Sequence, residues 1–226
     1  MISRISKICG IEFRETDNHF CAQSTLDNVV DAMGHLNAIA VSLYTIANNV
    51  RFLGCGPRAG FAEIDIPAVQ PGSSIMPGKV NPVIAESVTM VCAQVFGNTN
   101  SVSFAGATGS YFELNLMMPV VAYNLLQSID ILSNSATNLA IRCISGIEAT
   151  DNGPAAVNFG LMLCTALSPK IGYDAAAKIA KKAYLEKKSI KEVALRDTEL
   201  TEEELDVLLN PEAMTDPGKS NNLVSS

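Results

Sequence analysis

From Leu26 to Val50 the small and apolar positions Leu26, Val29, Met33, Leu36, Ala40, Leu43, Ala47 and Val50 step by three and four residues in alternation. Only a helix brings positions so spaced to one side, so the pattern predicts a single long helix. At ~1.5 Å per residue it is roughly 40 Å long, and Gly54 with Gly56-Pro57 supplies its stop. Val30, Val41, Tyr44 and Ile46 make the opposite side largely apolar as well. Such a helix needs neighbours on more than one face, which a lone monomer does not readily provide.

Two further long helices follow by the same reasoning. One is expected to start at Pro82, with Asn81 as its cap, and to run through Ile84, Val88, Val91, Val95, Val102 and Ala105 until Gly106 and Gly109 end it. The next begins near Glu113 and carries Leu114, Met118, Val121, Leu125, Ile129, Leu132, Ala136, Leu139 and Cys143, with a bend at Pro119. Beyond Gly146 the elements shorten: Asp174 caps a stretch through Ala183, and Ser189 with Glu192 and Thr201 with Glu204 have the spacing of capping boxes. The helix from Thr201 should stop at Asn210-Pro211. No alternating strand series is present, with at most short hairpins around residues 61–69. The expected fold is all-α: a long-helix bundle over residues 1–145, a small helical domain over 146–217 and a flexible tail at 218–226.

Composition removes several function classes. The formal charge of -7 and the lack of any Lys/Arg block argue against a nucleic-acid partner. Cys9, Cys21, Cys55, Cys92, Cys143 and Cys164 are scattered without Cys-x-x-Cys spacing and away from His19 and His35, which favours reduced, buried thiols over a metal site. No uninterrupted run reaches the ~18 apolar residues of a membrane span, and the N-terminal segment is amphipathic rather than signal-like. The reading is a reducing, aqueous compartment, with no membrane and no metal.

The chemistry is concentrated in residues 71–82, Pro-Gly-Ser-Ser-Ile-Met-Pro-Gly-Lys-Val-Asn-Pro. Gly72 and Gly78 let backbone approach a ligand closely, while Ser73, Ser74, Lys79 and Asn81 place hydroxyls, a cation and an amide on the same loop. That combination suits a carboxylate. Glu86 follows Lys79 by seven residues, in the first turn of the second long helix, where a negative charge is favoured on its own account. Arg51 and Arg58, near the end of the first long helix, suit ion pairs or interface contacts.

The 71–82 run resembles the signature loop of the class II fumarase and aspartase superfamily, whose members eliminate water, ammonia or a larger amine beside a carboxylate. Glycine at 78 resembles the fumarase and aspartase branches, and Phe112-Glu113-Leu114-Asn115 resembles the fumarase branch; aspartate ammonia-lyase stays open as the alternative. The resemblance implies a central domain of long helices forming the core of a homotetramer, a small helical C-terminal domain and a reaction without metal or organic cofactor. It implies a small dicarboxylate substrate, fumarate or malate, and a cytoplasmic setting, or the mitochondrial matrix for a eukaryotic parent. It further implies Ser73 as the base, Ser74, Lys79 and Asn81 as substrate-binding residues and Glu86 as the group that orients a histidine from another chain.

The resemblance spans nearly the whole chain but only the C-terminal half of the family's sequence. The family's threonine-bearing loop, Ser-Ser-Asn stretch and histidine-bearing loop have no counterpart here, and His19 and His35 read as structural or solvated side chains. The chain is therefore expected to be a fragment, inactive when isolated. The reading from another class is a non-catalytic helical oligomerisation module.

Overall fold

In the computed structural model, which describes residues 1–216, the long apolar repeats become three helices of 25 to 27 residues. The described chain runs α1 (Ile2–Cys9), α2 (His19–Ser24), α3 (Asp27–Leu53), β1 (Ile64–Asp65), α4 (Val83–Thr108), β2 (Ser110–Tyr111), β3 (Leu114–Asn115) and α5 (Met118–Arg142). It continues through β4 (Glu148–Ala149), α6 (Asn152–Phe159), α7 (Ser168–Ile171), α8 (Tyr173–Glu186), α9 (Ile190–Asp197), α10 (Glu202–Leu208) and α11 (Pro211–Met214). Short 3-10 turns cover Ile144–Gly146 and Leu161–Leu167. The fold is all-α, its strands only two residues each.

The described residues divide into two compact units, one comprising Met1–Cys55 and Ile66–Glu148, the other Gly56–Asp65 and the residues from Ala149 on. The expected boundary after residue 145 thus falls after Glu148, and residues 56–65 join the second unit. The reason is hydrogen bonding: Thr150 Oγ1 donates to Ala62 O (2.6 Å), Asn152 Nδ2 to the same oxygen (3.1 Å) and Thr150 N to Glu63 O (3.1 Å). The tail expected at 218–226, with residue 217, lies outside the described residues.

In the first unit α4 is the middle helix, packing along both α3 and α5. Its buried positions Ala85, Val88, Cys92, Val95, Asn98, Val102 and Ala105 are spaced by three and four residues. On α3 the buried set is Met33, Ala40, Ala47 and Val50, largely small residues that let α4 come close. Gly106 belongs to this contact, because a Cβ there would lie 2.7 Å from Val30 Cγ2; it packs the helix and does not end it. The helix ends at Gly109, where an added Cβ would strike the Asn115 side chain at 2.5 Å.

Asn98 is the polar exception in this core. Its Oδ1 accepts from Gln94 Nε2 (2.8 Å), and its Nδ2 donates to Gln127 Oε1 and Ser128 Oγ (both 2.9 Å) on α5. Those bonds form in one α4–α5 register only. Between the two helices β2 and β3 pair as a hairpin, so α5 starts at Met118 and not near Glu113. Asn115, buried beside the hairpin, accepts from Met117 N (2.8 Å) and donates to Ala105 O (3.3 Å). Pro119 falls in the first turn of α5, where its missing N–H costs nothing, and it makes no mid-helix bend.

α3 also corrects the reading on span-length segments. By length and composition it is apolar enough to cross a membrane, its best 18-residue stretch having a mean hydropathy of 1.3. Uninterrupted apolar runs overlook it because Asn37, Ser42, Thr45 and Asn48 are interspersed.

The second unit has its own core, centred on Leu167, Ile179, Ile190, Val193 and Leu205. Both capping boxes form: Ser189 Oγ accepts from Glu192 N, Thr201 Oγ1 from Glu204 N, and each glutamate reaches back to the cap's backbone N–H. Asp174 is not a cap. α8 is entered from Gly172 at φ +82°, leaving Asp174 inside the first turn, and the helix continues past Ala183 to Glu186. α10 ends at Leu208, and Asn210 instead caps α11 by accepting from Glu212 N (2.9 Å).

Three of the six cysteines, Cys92, Cys143 and Cys164, are buried, and burial pushes their thiols up. Cys9 and Cys21 are exposed, against the expectation of uniformly buried thiols, because α1 and α2 contribute no residue to a core.

Candidate functional site

The loop before α4 is held in shape by its own backbone. Gly72 N donates to Lys79 O (2.9 Å), and Asn81 Nδ2 donates to Gly72 O (2.8 Å), so both polar groups of Gly72 clamp the far end of the loop. A Cβ at Gly72 would sit 2.5 Å from Lys79 O and 3.1 Å from Asn81 N, so the clamp requires glycine. Gly78 makes the return turn at φ +78°, with open space around the missing side chain. The two glycines do different jobs: one is needed for room, the other for conformation.

Asn81 was expected to cap α4. The N-cap is Pro82, no side chain caps that terminus, and the Asn81 amide is spent on the clamp. The result is a closed loop delivered at the start of a helix.

Ser73 sits half-buried at the loop's turn, where its Oγ accepts from Ile75 N (3.2 Å) and Met76 N (3.1 Å). Serine followed by amides two and three residues on is a local turn motif in its own right. It also has a chemical meaning. Two backbone donors aimed at a hydroxyl oxygen favour that oxygen carrying negative charge, since hydrogen bonds to a charged acceptor are roughly twice as strong as neutral ones. Help for a serine base from backbone amides is what a glycine-containing loop leads one to expect; which amides meet Ser73 depends on the loop's shape, and they are those of Ile75 and Met76.

A concavity of about 480 Å³ opens on this loop, lined among others by Gln70, Ser73, Met76 and Lys79. Lys79 is exposed and, among the described residues, enters no ion pair, so its ammonium is available to an anion. The loop therefore brings Ser73 and Lys79 to one cavity. Ser74 is exposed on the same loop and Asn81 closes it, but neither lines that cavity.

Glu86 lies in the first turn of α4, half-buried, its backbone N bonded to Pro82 O (2.9 Å). Position alone accounts for a carboxylate here, because it faces the positive end of the helix dipole. Both histidines are exposed: His19 Nε2 lies 3.3 Å from Glu15 and His35 Nε2 3.7 Å from Asp31, one helical turn away in each case. Arg51 bonds Asn48 Oδ1 (2.9 Å) rather than a carboxylate. Among the described residues no group of three or more His, Cys, Asp or Glu side chains could hold a metal ion.

Comparison with known proteins bears on the family of the chain. A lyase family model matches residues 1–97, and a model described as the fumarase C C-terminus matches residues 163–216. A class II fumarate hydratase from Mesorhizobium japonicum is 49% identical over 95% of this chain and 46% of its own length. A mitochondrial fumarate hydratase from Rhizopus oryzae is 49% identical over 93% of this chain and 42% of its own length. A crystal structure of a cobalt-bound fumarate lyase:delta crystallin from Brucella melitensis superposes with a TM-score of 0.89 at 45% identity, covering 96% of this chain and 47% of that one. The chain thus spans about half the length of the relatives it matches. Two family models on successive segments, with near-complete coverage by proteins so similar in sequence and fold, establish that the chain belongs to the fumarase/aspartase superfamily.

Proposed function

We propose that the whole protein to which this chain belongs is a class II fumarate hydratase, interconverting fumarate and (S)-malate, and that the chain supplies the loop carrying its base. The observation behind this reading is the Ser73 hydroxyl, met by the Ile75 and Met76 amides in a cavity it shares with Lys79. The names of the relatives support water, rather than ammonia, as the group added or lost.

The difficulty of the reaction lies in taking a proton from a carbon next to a carboxylate, because that carbon is weakly acidic and the product is an aci-carboxylate with two negative charges. Ser73, as alkoxide, takes that proton. Two oriented amides stabilise the alkoxide, and closing off water makes them more effective. Lys79 neutralises the substrate carboxylate whose charge grows in the transition state; Ser74 and the remaining amide atoms of Asn81 orient it. Glu86 holds a histidine supplied by another chain in the tautomer that protonates the departing hydroxyl, which leaves as water. No metal or organic cofactor enters this scheme.

Further copies of the chain are the proposed partners, as a tetramer in the whole protein. Large apolar side chains left exposed on the long helices, Tyr44 on α3, Phe104 on α4 and Tyr123 and Leu126 on α5, support association. The proposed setting is the cytoplasm, or the mitochondrial matrix for a eukaryotic parent. Following fumarate spectroscopically while the whole protein is supplied with malate or with aspartate tests the assignment. Fumarate from malate is expected; consumption of aspartate alone would overturn it.

A further inference from the structure

The second unit carries a surface feature that the proposed reaction does not use. Between the Leu161–Leu167 turn and the C-terminal half of α8 lies a groove of about 370 Å³, lined by Leu161, Ala180, Lys181, Tyr184 and Leu185. Its walls are apolar throughout, Lys181 lining them with the carbon stem of its side chain. Tyr184 and Leu185 are 72% and 77% exposed. These residues are not a spare face of the core: α8 buries Ala176, Ile179 and Ala183 on its inner side, so the groove lies on the outer side of an already satisfied helix.

Charge distinguishes this groove from the other exposed apolar residues. The chain as a whole carries -7, yet residues 173–188 hold five lysines against Asp174 and Glu186. Lys182 is engaged with Asp197, and Lys188 lies 3.7 Å from Glu186. Lys178, Lys181 and Lys187 make no ion pair among the described residues. On α8, Lys178 and Lys181 stand one turn apart, and Leu185 follows Lys181 by another turn, so cations and apolar groups share one stripe.

We propose that this groove is a docking site for an acidic amphipathic helix of another protein, its apolar stripe set between Leu161, Tyr184 and Leu185 and its carboxylates on Lys178 and Lys181. A groove running along a helix, apolar inside and cationic at the rim, fits that ligand. A membrane surface fits less well, because the chain as a whole is acidic. The site lies in the second unit and does not depend on the reaction assigned to the 71–82 loop.

The test uses the full chain and a fluorescently labelled synthetic helix with leucines at i, i+3 and i+7 and glutamates flanking them. Its controls are a scrambled peptide of equal composition and vesicles of phosphatidylcholine with phosphatidylserine. Fluorescence anisotropy should show saturable binding of the patterned peptide, at least tenfold tighter than the scrambled one and weakened by salt. Leu185→Asp should abolish it, and the charge-only variant Lys178→Glu with Lys181→Glu should weaken it at least tenfold. Both changes are at exposed positions, and an unchanged helical circular-dichroism signal checks folding. Equal binding of the scrambled peptide, indifference to both variants, no binding at all, or binding of the vesicles in place of the peptide would overturn the proposal.

Discussion

Replacing Gly72 with alanine asks whether the clamp around the 71–82 loop is what holds it closed. The added methyl would stand 2.5 Å from Lys79 O, 3.0 Å from Lys79 C and 3.1 Å from Asn81 N, all of them main-chain atoms that cannot rotate aside. Relief requires the strands of the loop to separate, which breaks the Gly72 N to Lys79 O bond and strains Asn81 Nδ2 on Gly72 O. The bond lost is worth about 0.5–1.5 kcal/mol and the overpacking about 1–3 kcal/mol, so the closed loop should be destabilised by about 1.5–4.5 kcal/mol. At 1.4 kcal/mol per factor of ten, its population relative to the open form falls roughly 10- to 1,600-fold. Amide hydrogen exchange on the isolated chain is the assay. Gly72→Ala should accelerate exchange at positions 72, 75 and 76 while leaving the melting of the helices within a degree or two, because the loop buries little. Gly78→Ala is the internal comparison: no atom lies within 4 Å of its Cβ, so only the left-handed backbone opposes it, at about 1 kcal/mol. Wild-type exchange in Gly72→Ala, or a larger effect from Gly78→Ala, would refute the reasoning.

Two further predictions concern stability. Asn98→Ala removes the bonds to Gln94, Gln127 and Ser128 from a buried site and should destabilise the first unit by about 2–3 kcal/mol in urea unfolding; a change under about 0.5 kcal/mol would show that the bonds do not set the α4–α5 contact. In the second unit, Arg196 holds Glu186 below the usual carboxylate range, Arg196 and then Lys182 do the same for Asp197, and the Ser189 amide and then its hydroxyl lower Glu192. A depressed carboxylate contributes stability that is complete above its unfolded value and lost as pH falls through the folded one, so the second unit should weaken progressively below about pH 4. Denaturation midpoints measured from neutral pH down to about pH 3 check this, and a flat profile would contradict it.

Long-range helical order was legible because burial repeats on a fixed period: the apolar steps that marked Leu26–Val50 contain all four residues α3 buries. Capping boxes were legible because both partners lie within three residues. What sequence did not disclose depended on partners far along the chain or on elements too short to have a period. The β2–β3 hairpin has two residues per strand, so its Leu114 reads as the start of a helix. Gly106 looks like a terminator until Val30 is seen against it, and Asn81 looks like a cap until its amide is found on Gly72, nine residues back. At the candidate site the residue types marked the loop, while the amides that attend Ser73 came from backbone shape.

Turnover of the whole protein carrying Ser73→Ala is the most direct measurement. Alanine removes the hydroxyl and leaves the Gly72 clamp intact, so under the proposed reaction kcat for malate dehydration should fall by at least about a thousandfold with the oligomeric state and the substrate affinity unchanged. Undiminished kcat would mean that the proton leaves to some other group.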